Sequence, residues 1–480
     1  MDEKDTRRSA GGGGGTAAAG RAISLVVFGG LLLIVFAAPL PYGSVEPWWE
    51  ALFECLVFLL AALSLLGWLV KGGHLLAREF LPLVAPPFAL AAYACAQTVP
   101  LFAASAAGAG AQPISFDPFA THLAAIRFLA LAIFLALLLR HTTNARRLRA
   151  LACAVISVAL LSALFGLARQ VSQRGAEGFI LPYLRPATGY AQFVNKNHYA
   201  FLAEMAFGLL AGLAAGLFAG RRAARGRVLI YVALAVPVWA TLVLSNSRGG
   251  VLAMLCQVVF IALAYGAGRT KRRREDETAV TPRSRATTFA LRVALACALV
   301  AVIIFGVIWV GGDPLAERMA SVREETQVSS TDDPSRTGRA AIWEATWRLA
   351  LAHPIAGTGF GGYWIAVTNF HDGSGALVPQ QAHNDYLELW ASGGVISVAL
   401  AVWFVVAALR PARARLADPD PFRRAVALGA LTGLFGVAVH SLVDFGLHLL
   451  GNAFVCAALL ALAAARVGSH GSHEISQKTT

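Results

Sequence analysis

Residues 22–40 read AISLVVFGGLLLIVFAAPL, a run with no charged side chain. At ~1.5 Å of rise per residue, a helix of this length nearly covers the ~30 Å hydrocarbon core of a bilayer. Similar runs follow at approximately 48–70, 79–97, 120–140, 149–168, 195–219, 228–244, 249–267, 288–310, 388–410, 424–441 and 446–466, about twelve spans in total. Hydrophobic residues make up 57% of the chain and charged residues 14%, with a mean hydropathy of +0.62, which excludes a soluble globular domain. The reading is one all-α polytopic integral membrane domain over 22–466, with polar tails at 1–21 and 467–480. The Gly-rich tail leads into an apolar segment without a small-residue cleavage site, so that segment reads as the first span and not as a removed signal. Cys55, Cys95, Cys153, Cys256, Cys297 and Cys456 all fall inside apolar runs and read as packing residues.

The net charge of +13 is spread loop by loop, the pattern of membrane orientation and not of nucleic-acid binding. Alternate loops carry clusters such as Arg140, Arg146, Arg147 and Arg149, then Arg221, Arg222, Arg225 and Arg227, then Arg410, Arg413, Arg415, Arg423 and Arg424. The positive-inside rule places these loops and both termini in the cytoplasm. Four features then face the periplasm: the segment LRPATGYAQFVNKNHYAFLAEM (184–205), the short turn SNSRGG (245–250), the long loop 311–387, and the turn HSLVDFGLH (440–448). Within the long loop, GRAAIWEATWRLALAHP (338–354) is expected to form an amphipathic interfacial helix anchored by Ile342, Trp343, Trp347 and Leu349.

The chemistry-bearing residues collect on that outward side. Arg248 is confined to a turn of a few residues beside Gly249 and Gly250; its planar fork of donors suits phosphate oxygens, and lipid headgroup anchoring is the plain alternative. Arg185 precedes Asn195, Asn197 and His198; capping is the expected role of Asn197, and Arg185 is a substrate-facing candidate by its side of the membrane. Arg336 and Arg339 open the amphipathic helix, and Arg339 lies four residues from Trp343, within reach of stacking. His383, in QQAHNDYLELW (380–390), is a candidate general base, its ring oriented by Asp385 or a backbone carbonyl. Asn384 and Asp385 would cap the following span, with Glu388 completing a capping box. Glu54, Arg127 and Glu204 sit inside helix ends and read as structural ion pairs. His440, Asp444 and His448 are spaced as weak metal-ligand candidates.

Four pieces in this order, RPATGYAQFVNKNHYA, SRGG, SRTGRAAIWEATW with HPIAGTGFGGY, and HNDYLELWASGGVIS, resemble the O-antigen ligase and O-antigen polymerase superfamily of polytopic membrane glycosyltransferases. The resemblance runs from Arg185 to the last span. That family's loop motif is His, then Asn, Ser or Gln, nine residues, then Gly-x-x-Gly/Thr/Tyr; His383, Asn384 and Gly394 match it, and Ser397 stands at its last place. The resemblance implies a GT-C-like fold at the bacterial inner membrane and a metal-independent, inverting transferase with no cofactor. Its donor would be a glycan on undecaprenyl diphosphate, and its acceptor lipid A-core or another glycan. It implies that Arg185, Arg248 and Arg339 hold the diphosphate, that His383 is catalytic, and that Asn384, Asp385, Asn195 and Asn197 support them. Polymerisation of repeat units and transfer to a protein hydroxyl remain alternatives. A transporter of lipid-linked oligosaccharides is the non-enzyme alternative, against which stand the absence of an internal repeat and the gathering of polar groups at one face.

Overall fold

The computed structural model describes residues 5–72, 74–100, 112–173, 189–218, 225–276, 293, 339–371 and 378–467. Its elements are α1 Asp5–Ala37, α2 Pro47–Lys71, α3 Leu81–Gln97, α4 Pro118–His141, α5 Ala145–Gln173, α6 Lys196–Phe218, α7 Arg225–Leu244, α8 Arg248–Asp276, α9 Arg339–Ala352, α10 Tyr363–Ala366, α11 Asp385–Leu416, α12 Pro421–His440 and α13 Leu450–Ala464. No sheet occurs among the described residues, and an isolated bridge joins Tyr190 and Phe193. Among the described residues, 9 helices are long and apolar enough to cross a membrane. Two further apolar helices, Arg248–Ala264 within α8 and α13, are shorter. The span expected at 288–310 lies, but for residue 293, outside the described residues. The chain is an all-α polytopic membrane protein.

The packing of α6 on α12 is set by small residues. Gly208, Gly212 and Gly216 recur every fourth residue on α6 and face Gly433, Gly429 and Ala425 of antiparallel α12. A Cβ on Gly208 would stand 2.5 Å from the Gly433 nitrogen, and one on Gly216 would stand 2.6 Å from Ala425 Cβ. Inside a bilayer, helices gain little from hydrophobic association, so backbone approach of this kind carries the packing. Because α6 begins and α12 ends at the same end of this pair, the approach brings residue 197 towards residue 444. Most of α13 is buried, including Phe454, Ala458 and Leu462, and Asn452 donates to the carbonyls of His198 (2.9 Å) and Gly446 (3.1 Å). It is an interior helix more than a lipid-facing one.

α11 is broken at Gly394, which takes φ 63 and ψ −166. Residues 354–359 lie along the break: Thr358 N–H donates to Ala391 O (3.0 Å), Gly359 N–H to Ser392 O (2.9 Å), and Val395 N–H to Pro354 O (2.8 Å). Gln97 of α3 donates to Ala356 O (2.8 Å) and Ser392 O (3.0 Å), closing the junction from the other side. The Ser397 hydroxyl takes up the freed carbonyl of Gly394 at 2.8 Å. Unpaired backbone groups at membrane depth are costly, which explains the hydrogen bonds made across this junction. A helix, α9, does form within 338–354: Ile342, Ala345 and Leu349 are buried, while Trp347 is half exposed and meets Trp390 edge-on. A small apolar cluster of Leu349, Tyr363, Val367 and Ala391 fixes α9 and α10 against α11.

The basic helix ends gather away from residues 197 and 444. Arg147 reaches Ser24 Oγ (3.0 Å), Arg423 reaches Val467 O (2.9 Å), and Arg149 lies 5.0 Å over the Phe422 ring.

Candidate functional site

The polar centre at the other end forms around Asp444, four residues past the end of α12, with 1% of its side chain exposed. Arg339, the first residue of α9, places a guanidinium nitrogen 3.2 Å from Asp444 Oδ2. His383 Nδ1 stands 3.4 Å from Asp444 Oδ1, and the Asn197 amide donates to Oδ2. The Phe445 N–H donates to Oδ1 at 3.0 Å. Burial pushes this carboxyl's pKa upward, but His383, then Arg339, His198 and the Phe445 N–H, outweigh it and hold the group at about 2. Asp444 is therefore a fixed anion on which three elements distant in sequence converge.

His383 occupies the left-handed region at φ 50, a conformation that non-glycine residues rarely hold without surrounding restraint. The restraints are on both sides of it. Glu388 Oε2 accepts from the Ala382 N–H at 2.7 Å, Trp343 Nε1 donates to the His383 carbonyl at 3.4 Å, and the Asp385 N–H donates to Ser441 O at 2.9 Å. Asn384 caps α11, accepting from Tyr386 and Leu387 N–H at 3.1 and 3.0 Å. The Phe445 ring meets His383 at 4.7 Å and His198 at 4.8 Å, both edge-on. The same ring meets His448 at 5.8 Å, and the His448 nitrogens face Asp385 Oδ1 (3.4 Å) and Glu388 Oε1 (3.8 Å). Phe445 thus touches both His383, beside Asp444, and His448, beside Asp385 and Glu388.

Arg248 opens α8 at the surface, after Ser247, whose hydroxyl accepts from Gly250 N–H at 3.2 Å as a helix cap. A Cβ on Gly249 would meet His440 at 2.5 Å and Val443 at 3.0 Å, so this turn abuts the segment that carries Asp444. Arg185 and Arg336 lie outside the described residues.

The geometry reassigns several residues. Asn195, not Asn197, caps α6, accepting from the Asn197 N–H at 2.8 Å, and the Asn197 side chain is free to turn towards Asp444. Arg339 is held by the Asp444 carboxylate, where stacking on Trp343 was the expectation. Asp385 does not orient His383; its Oδ2 accepts from Ser441 Oγ at 2.6 Å, and Asp444 is the carboxylate beside the ring. Glu388 reaches past the cap to Ala382 instead of closing a capping box. His440, Asp444 and His448 diverge, with His440 Nδ1 pairing Glu204 at 2.9 Å inside the bundle. Arg127 pairs with Glu50, a partner that the spacing did not single out.

An all-α polytopic membrane chain with a cation–carboxylate–histidine centre at one end of its bundle is the class defined so far. Residues 230–404 match the family described as O-Antigen ligase, and this match supports the O-antigen ligase superfamily that the chain's motifs resemble. The matched segment holds Arg248, Arg339, His383 and Asn384, and leaves Asn197 and Asp444 outside it. No curated protein matches the chain. The family's work is glycan transfer in lipopolysaccharide biosynthesis, by glycosyltransferase-like enzymes that join a lipid-linked glycan to an acceptor.

Proposed function

We propose that this protein transfers a glycan from an undecaprenyl-diphosphate donor to lipid A-core or another glycan at the periplasmic face of the bacterial inner membrane. The observation that carries the reading is the approach of His383 and Arg339 to the one buried carboxylate of Asp444. Arg339 and Arg248, with Arg185 added from the resemblance, hold the diphosphate and neutralise the charge that grows on it as the glycosidic bond breaks. Fixed guanidinium groups in a partly dry site suit that task because they need no reorganisation during the reaction. With the imidazole proton on Nδ1, facing Asp444, Nε2 of His383 is left to take the proton of the acceptor hydroxyl as it attacks the anomeric carbon. Attack from the face opposite the diphosphate inverts that carbon. Asn197 and Phe445 fix the carboxylate, and Asn384 fixes the turn that presents His383. The scheme draws its positive charge from arginines and calls on no metal or cofactor.

Glycan profiling of a deletion strain complemented with wild type or His383→Ala tests this directly. The expected result is loss of the transferred glycan at equal membrane abundance of the variant, with donor accumulating on its carrier. An unchanged profile with His383→Ala would remove the enzyme reading. Long chains retained on the carrier identify a ligase, and single repeat units in place of long chains identify a polymerase.

The orientation carries its own prediction. In a background lacking the native cysteines, Val378→Cys should label with an impermeant maleimide in spheroplasts, and Ala414→Cys only after permeabilisation. The reverse pattern would place the His383 end in the cytoplasm.

A further inference from the structure

The structure assigns Glu388 as the positioning residue that holds His383 in its reactive backbone conformation, acting through the Ala382 N–H. This rests on the reading of His383 as the proton acceptor. The left-handed φ of 50 at His383 is a stored strain, and it persists only where neighbouring bonds over-determine it. Ala382, immediately before it, is fully buried, so its N–H finds no water and takes its bond from Glu388 Oε2 at 2.7 Å. Loss of that acceptor leaves a buried donor unpaired and lets residues 382–384 relax towards ordinary backbone. The chain reversal needed for this bond is short: Glu388 lies in the first turns of α11, and its carboxylate folds back over the helix start to the residue two before the cap.

The other carboxylate oxygen faces His448 Nδ1 at 3.8 Å, and His448 Nε2 faces Asp385 Oδ1 at 3.4 Å. Asp385 is tied in turn to Ser441 by Oδ2 and by its N–H. The two Asp385–Ser441 hydrogen bonds are therefore a brace, with His448 standing beside both carboxylates. They connect the start of α11 to the 440–448 turn that also carries Asp444, and they keep the His383 ring in register with that carboxylate. Glu388 touches neither reacting atom in this arrangement; its effect is on where the imidazole stands.

The test compares Glu388→Met, which fills the volume without an acceptor, with Glu388→Gln, whose amide oxygen still accepts from Ala382. Three quantities are read on the full-length protein: glycan transfer in the complemented strain, melting of the detergent-purified protein, and the rate at which diethyl pyrocarbonate modifies His383. Glu388→Met is expected to cut transfer about tenfold or more, the scale of a misplaced catalytic group. It should also raise the modification rate of His383 severalfold while the melting transition stays in place. Glu388→Gln is expected to restore both transfer and the wild-type modification rate.

A Gln variant as defective as Met would overturn the assignment, because charge and not the hydrogen bond would then matter. So would an unchanged modification rate in Glu388→Met, or a Met variant that fails to fold while Gln folds. His383→Ala separates the two levels. If it retains transfer, the reading of His383 itself falls. If it is inactive while Glu388→Met transfers normally, only the role of Glu388 falls.

Discussion

Asp444→Ala is expected to lower glycan transfer about a hundredfold, the cost of misplacing groups by an ångström in a preorganised site. Removing the carboxylate leaves Arg339, His383 and Asn197 without their shared partner. Arg339 is 42% exposed on its side chain and would swing into solvent, so the loss falls on catalysis more than on stability. His383 would lose the carboxylate that stands beside its Nδ1. Asp444→Asn keeps the shape and an acceptor but not the charge, so an intermediate activity is expected. Activity per folded molecule, measured over pH 5–9, checks both variants, and wild-type transfer by Asp444→Asn would sink the argument. The pH dependence follows from the direction of the shift. A carboxyl held at about 2 contributes its stabilisation above its unfolded value, near 4, and loses it as pH falls through about 2. Asp444 stays ionised across the assay range, so any acid limb observed there belongs to another group.

The membrane class was legible because it depends on composition and on runs such as 22–40, which local reading captures fully. The helix α9 and the cap at Asn384 were legible for the same reason: each is decided within a few residues. Asp444 as the centre of the site was not. In the sequence it is one of three titratable residues in HSLVDFGLH, and its partners come from positions 197, 339 and 383. Such a convergence exists only once α6, α9, α11 and α12 are packed. The exchange of roles between Asn195 and Asn197 shows the local version of this limit, since either asparagine suits a helix start and only the position of Asp444 separates them. Gly394 carried a signal that could be read more fully. It sits inside an apolar run, and a glycine there marks a break or a close approach; here it is both, since a Cβ would collide with the Ile355 carbonyl.

Gly212→Leu is expected to reduce folded protein in the membrane to about a tenth of wild type or less, because the site depends on how closely α6 and α12 approach and overpacking raises the unfolded fraction steeply. A Cβ on Gly212 would strike the Gly429 backbone, and one on Gly429 would strike the Leu209 carbonyl, so no side-chain rotation relieves the contact. The helices would have to separate, and in lipid no hydrophobic gain offsets the lost packing. Separation would also part Glu204 from His440 and Asn197 from Asp444, both of which span this interface. Gly29→Leu is the matched control, since a Cβ there meets nothing within 4 Å and the residue is exposed on α1. Fluorescence-detected size exclusion of both variants separates a general cost of adding bulk to a span from a specific cost at the α6–α12 contact. Equal recovery of the two would mean that the spacing of these helices does not hold the site. Loss of Gly212→Leu alone would tie the polar centre to a glycine stripe lying along α6, away from it in the chain.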